Sequence, residues 1–225
     1  MPRSSPITLT LPPFAGAIRK LILANVAVFF TLAVMHWIVP GVTDLLTERM
    51  SLVPSQFATG MIWQPFTYAF IQIGILDILF GMLTIWFIGS MLEGAFGSRW
   101  IYELFFTSTI GGAVVATTVA FTRIFGINPQ DIALGAGSGI FGLLVAVGIL
   151  FGDQDIAFQF LIRMKAKYLV TIYILIDIAV LLKGGNTFGV LLHLSGGLCG
   201  FLYVRFAPRR GLAFGFTERY FGLRN

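Results

Sequence analysis

The stretch that decides the fold is G-A-G-S-G-I-F-G-L-L, Gly135 to Leu144. Gly135, Gly137, Gly139 and Gly142 open an apolar run that carries no charge. A second stretch answers it: H-L-S-G-G-L-C-G, His193 to Gly200, with Gly196 and Gly200 in GxxxG spacing. Lipid gives helices no hydrophobic reason to associate, so small residues that let backbones approach are what join them. The two runs are expected to pack face to face. GxxxG alone means helix packing and nothing more, so function has to be read from the chain around it.

That chain has the composition of a membrane protein. Of 225 residues, 57% are hydrophobic and 11% charged, with a mean hydropathy of +0.89. A soluble domain averages about 45–50% apolar and about 25% charged. A cytosolic enzyme, a disordered chain and an exposed nucleic-acid binder are excluded. The apolar runs lack the two-residue alternation of barrel strands, so a helical bundle is expected. A single cysteine, Cys199, excludes a disulfide framework and a cysteine zinc site. The net charge of +5 belongs to cytoplasmic loops rather than to a nucleic-acid surface.

Six runs approach the ~20 residues that cross a bilayer as a helix: 18–39, 69–92, 100–122, 134–151, 167–183 and 187–206. Only Gly184, Gly185 and Asn186 part the last two, as a tight outer turn. The expected organisation is a cytoplasmic segment 1–17, one membrane domain 18–206 and a basic cytoplasmic tail 207–225. Pro2, Pro6, Pro12 and Pro13 precede the first span with no apolar core, and Arg19 and Lys20 suit an uncleaved anchor. With the N-terminus inside, 12 Lys and Arg fall on inner segments and 3 (Arg49, Arg123 and Lys183) outside. Both termini are therefore expected in the cytoplasm, and a bacterial inner membrane is the expected host. Residues 42–53 read as an amphipathic helix in the outer interface, with Trp63 and Tyr68 anchoring the second span. The tail's Arg residues, Phe214, Phe216, Tyr220 and Phe221 fit an anionic inner leaflet or a solvated arm equally well.

Polar residues inside the spans carry the functional options. Ser138 opens the fourth span and His193 lies about two turns into the sixth, so both sit within ~10 Å of the same rim. A serine and a histidine at equal depth suggest a nucleophile–base dyad. The plainer meaning of a lone serine there is packing or a backbone hydrogen bond. Asp177 and Glu103 are costly in lipid and are functional candidates by default. Asp77, Asp177 and His193 would suit a proton or ion path, but no inverted repeat or pair of broken helices accompanies them. Glu93 and Arg99 flank an inner turn and are expected to fix its shape. His36 lies near the outer end of the first span. With two histidines in the chain, no metal site and no cofactor are expected.

Five motifs in order resemble one family. They are W-Q-P-F-T-Y-A-F (Trp63 to Phe70), E-G-A-F-G-S-R-W (Glu93 to Trp100), Gly135 to Leu144, M-K-A-K-Y (Met164 to Tyr168) and His193 to Gly200. From about residue 15 to 207 the chain resembles the rhomboid family of intramembrane serine proteases. The resemblance implies an all-α, six-helix bundle, N-in and C-in, with a short central fourth helix below a water-filled cavity. In active members a serine at that helix start attacks a peptide bond of a transmembrane substrate. A histidine on the sixth helix is the base, polar groups of the second helix and backbone N–H groups hold the oxyanion, and substrate enters sideways, often between the second and fifth helices.

This chain departs from the family at the reacting positions. The family opens its fourth helix with G-x-S-G. Matched on I-F-G-L-L, that motif puts Gly137 at the nucleophile and Ser138 one residue, or ~100° of helix, later. Where the second helix often reads H-x-x-x-x-H-x-x-x-N, this chain has Gln72, Asp77 and Gly81. Losing one oxyanion donor costs ~10²–10³ in rate. An ionised Asp77 would repel the nascent anion, whereas a protonated one would donate to it. Asp77 and His193 are expected to face each other within hydrogen-bond range, directly or through water. The alternative is a His193 bonded to a backbone carbonyl. The function expected is that of a proteolytically inactive rhomboid-like membrane protein that binds or stabilises other transmembrane helices as a subunit of a membrane assembly. Its partners would be those helices and the bilayer, not nucleic acid. The competing reading is an active intramembrane serine endopeptidase with a Ser138/His193 dyad.

Overall fold

The computed structural model describes residues 12–158 and 162–207. Most of the expected segment 1–17 and nearly all of the tail 207–225 lie outside the described residues. Among the described residues, four helices are long and apolar enough to cross a membrane: Gly16–Ile38, Ile75–Phe96, Ser98–Thr122 and Thr187–Phe206. These are α1 (Gly16–Ile38), α5 (Ile75–Thr84) continued by α6 (Ser90–Phe96), α7 (Ser98–Thr122) and α10 (Thr187–Phe206). Two further helices are shorter, α8 (Gly137–Leu150) with 14 residues and α9 (Ala166–Leu182) with 17. At ~1.5 Å per residue α8 is about 21 Å long, less than the ~30 Å hydrocarbon core. The second long helix starts at Ile75, later than residue 69, because Tyr68–Phe70 form a separate 3-10 turn.

The connections follow from proline and glycine. Pro40, Pro54 and Pro65 stand in the first two positions of α2 (Pro40–Met50), α3 (Pro54–Ala58) and α4 (Gln64–Thr67), where a missing N–H is harmless. α2 is the helix expected between the first two spans. Trp63 stays about half exposed, its indole donating to the Arg49 carbonyl at 3.1 Å. Tyr68 does not anchor at an interface. It is fully buried and donates to the Thr109 carbonyl at 2.9 Å, because the chain folds inward before α5. Between α8 and α9, Asp155–Phe158 pairs antiparallel with Ile162–Lys165. Lys167, 2.7 Å from the exposed Asp153, holds that carboxyl below its ordinary range.

A π-helical turn, Ile85–Gly89, joins α5 to α6. Beside it the Trp86 indole donates to the Pro12 carbonyl and the Ser90 hydroxyl to the Pro13 carbonyl, each at 3.2 Å. Glu93 then caps α1 from across the bundle. Its carboxylate accepts from Ala17 N–H at 2.6 Å and Ile18 N–H at 3.3 Å, and Ser98 donates to it as well. Gly16, at φ 58°, leaves room for this carboxylate, whose Cδ would lie 2.7 Å from a Cβ there. Arg99 does not join Glu93. It pairs with Glu103 one turn on at 3.2 Å, and Glu103 also accepts from the Tyr203 hydroxyl at 3.0 Å.

The centre is built from small residues, and three helices share it rather than two. A Cβ on Gly200 would lie 2.6 Å from the Gly142 Cα, so α8 and α10 do touch backbone to backbone. A Cβ on Gly112 of α7 would lie 2.8 Å from the Gly196 nitrogen. Two of the glycines expected on the α8–α10 face serve elsewhere. Gly139 turns to α7, where the Phe105 ring would meet a Cβ at 2.5 Å. Gly135 lies before the helix at φ 101°, its N–H donating to the Tyr68 carbonyl at 2.9 Å.

Candidate functional site

A cavity of about 670 Å³ lies where α5, α8, α9 and α10 meet. Gln72, Asp77, Gly81, Gly137 and His193 all line it, so five of the residues singled out in the sequence share one space. Ser138 is not among its lining. It is buried, and its hydroxyl donates to the Ser108 carbonyl of α7 at 3.0 Å. A helix residue one position on from Gly137 is rotated ~100° about the axis, and that rotation carries Ser138 off the cavity into the α7–α8–α10 seam.

His193 is held on two sides. Its ring stacks on Phe141 with centroids 5.0 Å apart and planes at 18°. Its Nδ1 lies 3.2 and 3.3 Å from the two carboxylate oxygens of Asp177. The other ring nitrogen, Nε2, is the atom nearest to where a Gly137 Cβ would stand, and Cδ2 would be only 2.5 Å from it. The imidazole thus fills the volume that a side chain at 137 would need. With Nδ1–H donated to Asp177, the Nε2 lone pair faces the start of α8, the arrangement of an oriented general base. The residue it faces, Gly137, carries no hydroxyl to deprotonate.

The expected Asp77–His193 contact is not made directly. Asp177 occupies Nδ1 instead. Asp77 sits in the first turn of α5 and folds over Gly74, where its Cγ would be 2.9 Å from a Cβ. Nor does His193 bond a backbone carbonyl. At Gly81 a Cβ would meet only the Ile140 Cδ1, at 3.4 Å, so this position brings no polar atom. Gln72 is buried and faces Gly135, with Oε1 3.4 Å from a Cβ there. Thr84 and Tyr173 share a 2.9 Å hydrogen bond between α5 and α9 across the cavity. Among the described residues no group of three His, Cys, Asp or Glu is placed to hold a metal ion.

Asp177 was singled out in the sequence as an intramembrane acid, but not as the partner of His193. The spacing holds the signal. The two residues are 16 apart with Gly185 midway, so two helices folding back at Gly184–Asn186 bring them level. Ser108 and Phe141, the supports of Ser138 and His193, carry no comparable signal.

The chain is similar to known proteins along most of its length. Residues 20–213 match the family described as Eukaryotic integral membrane protein (DUF1751). In Arabidopsis thaliana, RHOMBOID-like protein 1 is 30% identical over 166 residues, covering 72% of this chain and 39% of the relative. Rhomboid-like protein 19 is 24% identical over 166 residues, 72% of this chain and 53% of the relative. Rhomboid-like protein 16, chloroplastic, is 23% identical over 160 residues, 66% of this chain and 48% of the relative. The chain thus spans about half the length of these relatives or less. Family and relatives are eukaryotic, so the expected bacterial inner membrane has no support in them. The chain is a rhomboid-like integral membrane protein, and it belongs to the eukaryotic integral membrane protein family DUF1751.

Proposed function

We propose that this protein does not cut peptide bonds and instead holds transmembrane helices of other proteins, as a subunit of a membrane assembly. It does so as one membrane domain, 18–206, of six spans with both termini in the cytoplasm. The short helices α8 and α9 complete the four long ones. The observation that carries the reading is at Gly137. The base lies against a residue without a hydroxyl, and the nearby hydroxyl of Ser138 is committed to Ser108. Position 81 supplies no donor and position 77 supplies a carboxylate, which opposes an oxyanion. What remains is a cavity between α5 and α9 with apolar walls, suited to a guest helix.

The reading is tested in vesicles with the full chain and single-span test proteins. A photo-crosslinker replaces Phe80 of α5 or Ile176 of α9, both about half exposed. Crosslinks to the span of the test protein, with no cleavage, are expected. The Asp177–His193 pair is the one feature that favours a working protease. Cleavage lost in both Ser138→Ala and His193→Ala would establish that activity and end the present reading.

A further inference from the structure

The cavity between α5 and α9 carries a charge that no neighbour balances. Asp77 is exposed on its wall, and among the described residues no hydrogen bond or ion pair reaches its carboxylate. No Lys or Arg lines the cavity, and the one imidazole is turned to Asp177. A carboxylate within a membrane helix is expensive and faces a partner or a water-filled space. The walls around it are apolar ridges. Leu76 and Phe80 on α5, and Ile172 and Ile176 on α9, stand four residues apart on each helix and are exposed. Such i, i+4 rows form the ridges that a third helix packs against.

From the juxtaposition of these ridges with Asp77 we infer that the cleft selects transmembrane helices bearing a Lys or Arg level with the first turn of α5. The inference rests on the helix-holding reading and adds the chemistry of the client. Asp77 is the third residue of α5, about 3 Å along its axis, so the client's basic residue sits in its first turn or two at that membrane face. The long stem of Lys or Arg lies along the apolar ridge while its head reaches the carboxylate. A charge-assisted hydrogen bond of this kind separates a basic client from an apolar one by roughly tenfold or more in affinity.

The test uses the full chain in phosphatidylcholine nanodiscs and three synthetic single-span helices. They differ at one residue level with Asp77, carrying Leu, Lys or Glu. The Lys helix is expected to bind about tenfold more tightly than the Leu helix. Asp77→Asn should bring the two together, and Asp77→Lys should move the preference to the Glu helix, a gain that a misfolded variant would not give. Equal binding of Lys and Leu helices to the unaltered chain would overturn the inference while leaving helix holding intact. A Lys preference surviving in Asp77→Asn would also overturn it. Binding of none of the helices would remove the helix-holding reading itself. A preference erased by adding phosphatidylethanolamine would assign the site to a lipid amine and overturn the proposal.

Discussion

Gly196→Ala should unseat the centre of the molecule, and the structure sets the size of the effect. A Cβ at 196 would overlap the Ser138 hydroxyl and stand 2.8 Å from the Ser138 carbonyl carbon. Carbon atoms in contact prefer about 3.5–4.0 Å, so the α8 and α10 backbones must part by roughly 1 Å. Overpacking of this kind costs about 1–3 kcal/mol. The Ser138–Ser108 hydrogen bond, 3.0 Å long, does not survive such a shift. Leaving its buried partners unsatisfied costs a further ~1–3 kcal/mol. Together these lower the midpoint by roughly 4–24 °C, at about 2–4 °C per kcal/mol. The assay is built in, because Cys199 is the sole cysteine and packs beside Gly111 on α7. A thiol-reactive dye therefore reports the opening of this seam during a thermal ramp in detergent. Gly197→Ala is the control, since its Cβ meets the side chain of Val145 at 3.3 Å and can be accommodated. Gly41→Ala on α2 meets nothing within 4 Å and should gain up to ~1 kcal/mol in helix propensity. If Gly196→Ala melts together with Gly197→Ala, the backbone contact described here is wrong.

Two further substitutions probe the polar contacts. Asp177→Leu strips His193 of its partner and should cost roughly 2–3 kcal/mol, whereas Asp177→Asn keeps a hydrogen bond and should lose about 1 kcal/mol or less; the same thiol-dye ramp ranks them. Glu93→Ala removes the acceptor for two N–H groups at the start of α1, worth about 1–2 kcal/mol, and should hasten protease cutting ahead of residue 16 before it affects the melting of the rest.

How much of this was legible in the sequence depends on the range of the contact. The glycine rows were readable because small residues in a lipid-embedded helix have few other uses, and Gly142, Gly196 and Gly200 lie where that logic puts them. The ~100° offset between Gly137 and Ser138 needs only the helix itself, since one residue of helix is a fixed rotation. The partner of His193 was not read correctly. Asp77 and Asp177 both offer a carboxylate at a suitable depth, and their choice depends on how α9 is turned about its axis. The symmetric spacing about Gly185 was the clue in reach. The third glycine helix, α7, was missed because Gly111 and Gly112 are adjacent rather than in GxxxG spacing. Tyr68 misled because its residue type suits a membrane interface, while its fate is set by a tertiary hydrogen bond to Thr109. The π turn at Ile85–Gly89 has no sequence signature that the reading used.

The proposed lack of proteolysis rests on Gly137, the residue against the imidazole of His193, carrying no hydroxyl, and on Ser138 being bonded to Ser108. The most direct measurement incubates the full chain in lipid vesicles with a fluorophosphonate probe and maps any adduct by mass spectrometry. No adduct on Ser138 is predicted, under conditions that label an active serine hydrolase fully. An adduct on Ser138 that disappears in His193→Ala would contradict the account.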